Sequence, residues 1–303
     1  MSDAQRLGFI GLGNIGGGVA ANLVADGHRV TVHDTDPAKA AAVTGAQIAD
    51  GPAEVAAAAE ITFLSLPSPA VMDNVSRAWA EGAGPGKVLV DLTTNAPATV
   101  RAVGARLGAQ GLRFLESPVT GGAIGARNRM LVFIMGGDDD VVAQVEPVLK
   151  TIGRATYHLG PLGCGSVGKL CNSLMAFTTQ VVSYEGLALA DKYGIDLREL
   201  VEMLRFSGGA HSFLERRVEA MNDRGGHPDF SIDLAAKDAG LMLEAGRDVS
   251  VPMPIASAVH EVFVLAKAQG LGDRDINDLV EAIERVAGVQ LQLGPAKEPK
   301  DAT

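Results

Sequence analysis

The sequence predicts an α/β fold in two parts: an N-terminal doubly wound, mostly parallel sheet, then an all-α domain built on one long helix. Three observations carry this. From Leu7 to about His158, short apolar runs alternate with Ala-rich helical stretches, the pattern of a parallel sheet covered on both faces. After Pro161 no comparable strand signal appears, and no proline interrupts Ser166 to Tyr193, a stretch that spans about 42 Å as one helix. The chain has 303 residues, which suits about two domains.

In order, the strand-like runs are Leu7–Ile10, Arg29–His33, Ile61–Leu66, Val88–Leu92, Phe114–Leu115, Leu131–Met135 and Ala155–His158. Helical stretches lie between most of them: Ile15–Ala25, Pro37–Val43, Ala53–Ala59, Pro69–Glu81, Ala98–Gly108 and Asp140–Leu149. Right-handed crossovers then wind the sheet in both directions. Gly194 is a natural stop for the long helix, and Asp196 with Glu199 forms a capping-box pattern opening a helix over Leu197–Leu204. Further helices are expected over Phe213–Met221, Leu234–Ala245, Ile255–Ala268 and Ile276–Val286. The expected division is residues 1–162, residues 163–293 and a frayed polar tail over 294–303.

Composition excludes several function classes. The formal net charge is −10, and no long basic run is present, so neither nucleic acid nor an anionic membrane is an expected partner. Aromatic residues make up 4%, which predicts an Ala, Val, Leu and Ile core and argues against base-stacking platforms. Cys164 and Cys171 lie seven apart within one expected helix, about 10 Å along its axis and too far to bridge. They read as small buried hydrophobes in a reducing compartment. The N-terminus shows no cleavable signal, and runs such as Leu131–Met135 are far short of a membrane span. A cytoplasmic protein is expected. The histidines at 28, 33, 158, 211, 227 and 260 show no ligand spacing, so no metal is expected.

The first chemical motif is Gly11-Leu12-Gly13-Asn14-Ile15-Gly16. It follows an apolar strand and opens a helix, which is the context that gives a GxGxxG pattern meaning. The first glycine allows a tight turn, the second lets a pyrophosphate approach the backbone, and the third lets helix and strand pack closely. The helix start offers free N–H groups and a positive dipole end. Asp34 closes the second strand eighteen residues after Gly16. A carboxylate there accepts from adenosine ribose hydroxyls and repels a 2′-phosphate, which favours NAD over NADP. Lys39 nearby keeps NADP as the alternative. A Rossmann unit is therefore expected, and Leu66, Pro67 and Thr94 fall at later strand ends that line the same crevice.

Two further segments carry chemistry. Lys169 falls in the expected first turn of the long helix, where the dipole disfavours a cation. That field, with partial burial, makes a neutral amine accessible as a base for a hydroxyl proton; a solvated helix-start lysine is the alternative. Asn172 lies three residues on, on the same helix face. In Glu116-Ser117-Pro118-Val119-Thr120-Gly121-Gly122, successive N–H groups around two glycines can form an anion nest, with the Thr120 hydroxyl as a further donor. A flexible glycine loop is the alternative.

Together these segments resemble the β-hydroxyacid dehydrogenase family, relatives of 3-hydroxyisobutyrate and 6-phosphogluconate dehydrogenases. The resemblance spans about residues 6–290. It is carried by FIGLGNIGGGVAANL (9–23), LPSPAVMDNV (66–75), DLTTNAP (91–97), ESPVTGGAIGA (116–126), GCGSVGKLCN (163–172) and AAKDAGLMLE (235–244). It implies an active site in a cleft between a Rossmann and a helical domain, and a homodimer or homotetramer. Lys169 matches the family's catalytic lysine and Asn172 its substrate-side asparagine. Thr120, Gly121 and Gly122 match the substrate-carboxylate loop, which Ser117 precedes. Thr94 matches the cofactor threonine, and Lys237 a lysine that closes over the cleft.

The chain departs from the family at Glu116-Ser117, where Asp-Ala is usual, and at Arg127 and Arg129-Met130. The arginines are either solvated or face a second anionic group on the substrate. His211, in a segment that varies among relatives, is a further candidate.

The implied reaction is reversible NAD-linked oxidation of a small anionic β-hydroxyacid to its semialdehyde or keto acid. The alternatives are a semialdehyde reductase of tartronate, succinate or sulfolactaldehyde type, an imine reductase, and a non-catalytic dinucleotide-binding relative. Lys169 weighs against the last two, and Asp34 also against the imine reductase.

Overall fold

The structure, a computed structural model, describes residues 4–226 and 228–295. The expected tail from residue 296 onward lies outside the described residues. The chain separates into two compact units, Met1–Cys171 and Asn172–Thr303.

The first unit runs β1 Arg6–Ile10, α1 Gly16–Ala25, β2 Arg29–His33, α2 Pro37–Ala42, β3 Gln47–Ile48, α3 Pro52–Ala58, β4 Ile61–Leu64, α4 Pro69–Gly82, β5 Val88–Asp91, α5 Pro97–Gly108 and β6 Arg113–Glu116. These strands form one sheet in the order β3-β2-β1-β4-β5-β6, every pair parallel. The order reverses between β1 and β4, which creates a switch point at their carboxyl ends. Helices α2, α3, α4 and α5 each open on a proline, whose missing N–H would have no helical acceptor there.

Strand alternation sorts the core onto two faces. Leu7, Phe9, Val30, Val32, Phe63 and Val90 pack with α1 residues Val19 and Leu23. Ile10, Leu64 and Leu89 pack with Val55, Met72, Trp79 and Val103 of α3, α4 and α5. The cores are not all-aliphatic: Trp79, Phe9, Phe63 and Phe133 in the first unit and Tyr184 and Phe263 in the second are the largest fully buried side chains, while Tyr157, Tyr193 and Phe206 are exposed. Burying each ring removes so much apolar area that few are needed.

A second sheet follows: β7 Val119–Thr120, α6 Gly122–Arg127, β8 Leu131–Met135, α7 Asp139–Ile152 and β9 Gly153–His158. Its order is β7-β8-β9, with β7 antiparallel and β9 parallel to β8. An antiparallel bridge between Glu116 and Gly136 joins the end of β6 to the end of β8.

The long helix α8, Cys164–Lys192, runs from the first unit into the second. The second unit continues through α9 Leu197–Arg205, α10 Ser212–Arg216, α11 Ile232–Asp248, α12 Pro254–Ala268 and α13 Leu279–Ala287. Asp196 caps α9 by accepting from Glu199 N at 3.0 Å. The helix expected over Phe213–Met221 breaks at Arg217 into α10 and a 3-10 turn, and that expected from Ile276 opens with a 3-10 turn. Phe177 stacks on Phe230 and meets Phe263 edge-on. Gln180 donates to the Ile276 carbonyl at 2.9 Å and Tyr184 to the Asn277 carbonyl at 3.1 Å, so α8 is fastened to the α13 approach by apolar and polar contacts. Cys164 and Cys171 are both free, and Cys171 is exposed instead of buried, because position 171 points off the packed face of α8. Among the described residues, no helix is long and apolar enough to cross a membrane.

Candidate active site

The first glycine turn has the division of labour its sequence implies. Gly11 adopts φ +89°, and a Cβ there would lie 2.3 Å from the Ser65 carbonyl oxygen. At Gly16 a Cβ would lie 1.9 Å from the Gly11 carbonyl oxygen and 2.8 Å from the Phe9 ring. Gly13 differs, for a Cβ there meets nothing within 4 Å. The turn is thus closed on its protein side at Gly11 and Gly16 and open at Gly13. Ile15, at the N-cap of α1, has no side-chain oxygen to offer the helix start. Leu12 and Ile15 pack inward while Asn14 is exposed.

Asp34 follows β2 and is half-buried. One oxygen accepts from Leu12 N at 2.6 Å and the other from Asp36 N at 2.8 Å. The acid therefore fixes the glycine turn to the end of β2. Each oxygen retains a lone pair, so the same group is equipped to accept from ribose hydroxyls. Open space at Gly13, a helix start directly behind it and this carboxylate fit a bound dinucleotide.

Leu66 and Pro67 follow β4, and Thr94 follows β5, so the carboxyl edge collects them beside the glycine turn. The hydroxyl that joins the two loops belongs to Thr93, which accepts from Leu66 N at 3.1 Å. Beneath it, the fully buried Asp91 carboxylate accepts from Thr93 N at 3.0 Å and Asn95 Nδ2 at 2.6 Å. Burial pushes the Asp91 carboxyl up to about 7; hydrogen bonds from Thr93 and Asn95 oppose this, and the charge of Glu116 adds to it.

The β6 end carries Glu116 and then Ser117–Gly122. Ser117 is fully buried; its N–H donates to the Asp91 carbonyl at 2.7 Å, while its hydroxyl makes no hydrogen bond. Thr120 is half-buried in β7, and Gly121 and Gly122 are exposed with φ of +127° and +65°. They turn the chain into α6, a helix of 6 residues.

Lys169 is half-buried on α8 and Asn172 lies exposed on the same helix. The helix begins at Cys164, two residues earlier than expected, so Lys169 lies in its second turn. The dipole acts within the first turn, and the electrostatic argument for this lysine weakens accordingly.

What occupies the first turn is Glu116, whose contact with this helix the sequence did not disclose. Its carboxylate accepts from Gly163 N at 2.5 Å, Gly165 N at 3.0 Å and Ser166 N at 2.9 Å, and from the Ser166 hydroxyl. Burial raises its pKa, and these four donors oppose the rise. The available signals were a helix start without its own acidic or hydroxyl cap, and a lone acid ending a buried strand.

Four other candidates lie elsewhere. Arg129, at φ +59°, donates to Asp26 at 2.9 Å and to the Thr151 carbonyl at 2.8 Å. It is neither a solvated charge nor turned to an open anion site, because the turn into β8 carries it back onto the end of α1. Arg127 is exposed at the end of α6. His211 Nε2 lies 3.3 Å from the Ser183 hydroxyl, and its ring stacks near Phe213; burial lowers its pKa and Glu215 opposes this. Lys237 is half-buried on α11, with Nζ 3.0 Å from Asp238 Oδ1.

Sheet order, glycine turn and acid together define a dinucleotide-binding protein. The family model described as the NAD binding domain of 6-phosphogluconate dehydrogenase matches residues 6–160. The one described as NAD-binding of NADP-dependent 3-hydroxyisobutyrate dehydrogenase matches residues 163–283. The chain is 31% identical to 2-(hydroxymethyl)glutarate dehydrogenase of Eubacterium barkeri, over 97% of this chain and 100% of that protein. It is 34% identical to 3-hydroxyisobutyrate dehydrogenase of Pseudomonas aeruginosa, over 90% and 97%. The solved structure of Mycobacterium tuberculosis 3-hydroxyisobutyrate dehydrogenase with L-serine superposes with TM-score 0.84 at 26% identity, covering 92% of this chain and 99% of that one. The chain belongs to the β-hydroxyacid dehydrogenase family of NAD(P)-dependent oxidoreductases.

Proposed function

We propose that this protein reversibly oxidises a small 3-hydroxy acid to its semialdehyde or keto acid, with NAD preferred over NADP. The observation that carries the reading is that α8, the helix bearing Lys169, is tied at its first turn to the end of β6, the strand that runs straight into Ser117–Gly122. In this reading the proton acceptor and the anion loop share one framework.

When bound, the nicotinamide supplies the two-electron acceptor. Gly11, Leu12, Gly13, Asn14, Ile15 and Gly16 are assigned to the pyrophosphate, and Asp34 to the adenosine ribose. Leu66, Pro67 and Thr94 are assigned to the nicotinamide half, and Lys237 to the cofactor as well. Asp34 favours NAD because a 2′-phosphate would meet its charge. Thr120, Gly121 and Gly122, supported by Ser117, are assigned to the substrate carboxylate. Lys169 Nζ takes the hydroxyl proton in oxidation and returns it in reduction, and Asn172 orients the hydroxyl-bearing carbon. The functional division falls at residue 162, with the Rossmann part before it and the helical part after.

Assembly as a homodimer or homotetramer is supported by Met175, Val182 and Leu189, which are 70%, 49% and 63% exposed. Their seven-residue spacing puts them on one face of α8. A cytoplasmic location goes with this reading.

Lys169→Met tests the chemistry. Its NAD affinity, by fluorescence titration, should stay within about twofold, while turnover of every hydroxyacid that the wild type oxidises falls by roughly 10³-fold or more, as for loss of a general base with its positioning. Near-wild-type turnover removes Lys169 from the mechanism.

A further inference from the structure

We infer that Glu116 is a positioning residue that sets where Lys169 stands relative to the Ser117–Gly122 loop. The inference rests on the proposed reaction and extends it to a residue that touches neither cofactor nor substrate.

The geometry is specific. Glu116 is the last residue of β6, so its backbone leads directly into the loop assigned to the substrate carboxylate. Its side chain turns the other way and takes four hydrogen bonds from three residues at the α8 entrance: Gly163 N, Gly165 N, Ser166 N and the Ser166 hydroxyl. Lys169 is three residues beyond Ser166, less than one turn away. The Glu116 side chain thus links the loop's strand to the lysine helix.

The surrounding backbone leaves no slack. A Cβ on Gly136 would fall 2.3 Å from Glu116 Oε1. A Cβ on Gly165 would fall 2.6 Å from the Ile134 carbonyl oxygen and 2.9 Å from Gly136 N. Glycines at 136 and 165 thus let the helix start, the end of β8 and the carboxylate meet at backbone distance. The Glu116–Gly136 bridge, with N–H···O distances of 3.1 and 3.0 Å, fixes the third side of this junction. A carboxylate with all its donors supplied is a stiff link, and an error of about 1 Å in a reacting group lowers rate by up to about 10²-fold.

The choice of carboxylate matters. Both oxygens act only as acceptors, and all four partners can donate. A glutamine in the same volume would place its NH₂ against either Gly163 and Gly165 N–H or Ser166 N–H. One backbone donor would face another, and the first turn would have to shift.

The test compares wild type, Glu116→Gln, Glu116→Asp and Ser166→Ala, with 3-hydroxyisobutyrate and L-serine as probe substrates, NAD titration, thermal unfolding and amide hydrogen exchange across residues 160–172. We expect Glu116→Gln to lower kcat by 10- to 100-fold in folded protein, with KM and NAD affinity within about threefold, and exchange at Gly163–Ser166 to rise. Glu116→Asp keeps the charge but withdraws the carboxylate by more than about 1 Å, so its kcat should also fall, by less than that of Glu116→Gln because no donor is set against another donor. A purely structural role would lower the melting temperature and leave kcat of the folded fraction unchanged, and that result overturns the inference. If Glu116→Gln does not fold, Ser166→Ala carries the test: it removes one donor and should lower kcat three- to tenfold with KM unchanged, and an unchanged kcat overturns the inference. Wild-type protein that turns over neither these probes nor other 3-hydroxy acids sinks the proposed reaction, whereas an active wild type matched by Glu116→Gln sinks the positioning role alone.

Discussion

Two helix starts in the first unit spell the same pattern and do opposite things. Gly11–Gly16 opens α1 and Gly163–Gly168 opens α8, and both read GxGxxG. At α1 the N-cap residue is an isoleucine, and the middle glycine faces open space. At α8 the middle glycine is wedged against the Ile134 carbonyl and Gly136 N, and Glu116 already occupies the N–H groups. Both starts are positive and rich in donors. What differs is the backbone delivered in front of them. At the switch between β1 and β4 neighbouring connections diverge and leave room, while at the β6–β8 junction strand ends converge and bring an acid. The motif specifies an anion site; topology decides whether a ligand or a side chain is the anion.

The largest effect should come from closing the first start. Gly16→Ala would set a Cβ 1.9 Å from the Gly11 carbonyl oxygen, and backbone cannot yield as a side-chain tip can. A loss of about 3 kcal/mol or more is expected, in the range of severe core overpacking, together with loss of NAD binding. Chemical denaturation and fluorescence titration would read both. A stable Gly16→Ala that binds NAD normally would break the contrast, because the helix–strand contact would then not shape the turn.

Next comes the open glycine. Gly13→Ala adds a methyl that touches no protein atom within 4 Å. Stability should stay within about 0.5 kcal/mol, while NAD affinity falls by roughly 10- to 100-fold as the methyl takes the place of the pyrophosphate. The matching change at the second start, Gly165→Ala, should reverse these signs: stability falls and cofactor affinity holds. Parallel effects of the two substitutions on both readouts would mean the two starts are not distinct.

Much of this was legible because the signals are local. Strands β2 and β8 begin and end where their apolar runs do, and α2, α4 and α9 open at residues whose side chains cap them. Lost were the elements whose cause is non-local. Gln47–Ile48 and Val119–Thr120 are two-residue strands that exist because a neighbouring strand offers a ladder, and nothing in so short a run announces it. Helix α6 hides behind two positive-φ glycines that read as a loop. Glu116 reads as the first residue of the glycine loop, with no sign of its helix contact, since its partners are 47 to 50 residues away. Arg129 looked available for a substrate because its partner Asp26 lies 103 residues earlier. Sequence spacing locates groups along an element, and only the fold says which groups are already satisfied.

Asp91 sharpens the comparison from the side of charge. It pairs in register with Glu116 across β5 and β6, yet its donors are Thr93, through backbone and side chain, and the Asn95 amide. Its folded-state value of about 7 exceeds the ordinary 3.8. A raised carboxyl stabilises the fold below its ordinary pKa and loses that contribution as the pH rises through the folded value. Wild type should therefore lose roughly 2 kcal/mol between pH 5 and pH 8, within the ceiling of about 4 kcal/mol that such a displacement sets. Asp91→Asn should flatten this loss. The unpartnered Asn95 Oδ1 lets the Asn95 amide turn over and accept from the new NH₂. Equal pH dependence in the two proteins, by thermal unfolding, would show that Asp91 stays ionised throughout.

The smallest effects separate the two arginines behind the Gly121-Gly122 turn. Arg129 bridges Asp26 at the end of α1 and the Thr151 carbonyl at the end of α7. Asn22, also on α1, donates to the Ala126 carbonyl at 2.8 Å. The glycine turn of α1 and the glycine turn of α6 are therefore carried by helices fastened together at their far ends. Arg129→Ala should cost about 1 kcal/mol, for the ion pair is partly exposed and its worth is screened, and it should raise KM for the hydroxyacid more than it weakens NAD. Arg127 makes no comparable anchor and is exposed, so Arg127→Ala should change stability by less than about 0.5 kcal/mol and leave NAD affinity untouched. If Arg127→Ala instead raises KM selectively for doubly anionic substrates, the exposed arginine, and not the anchored one, reads the substrate's second charge.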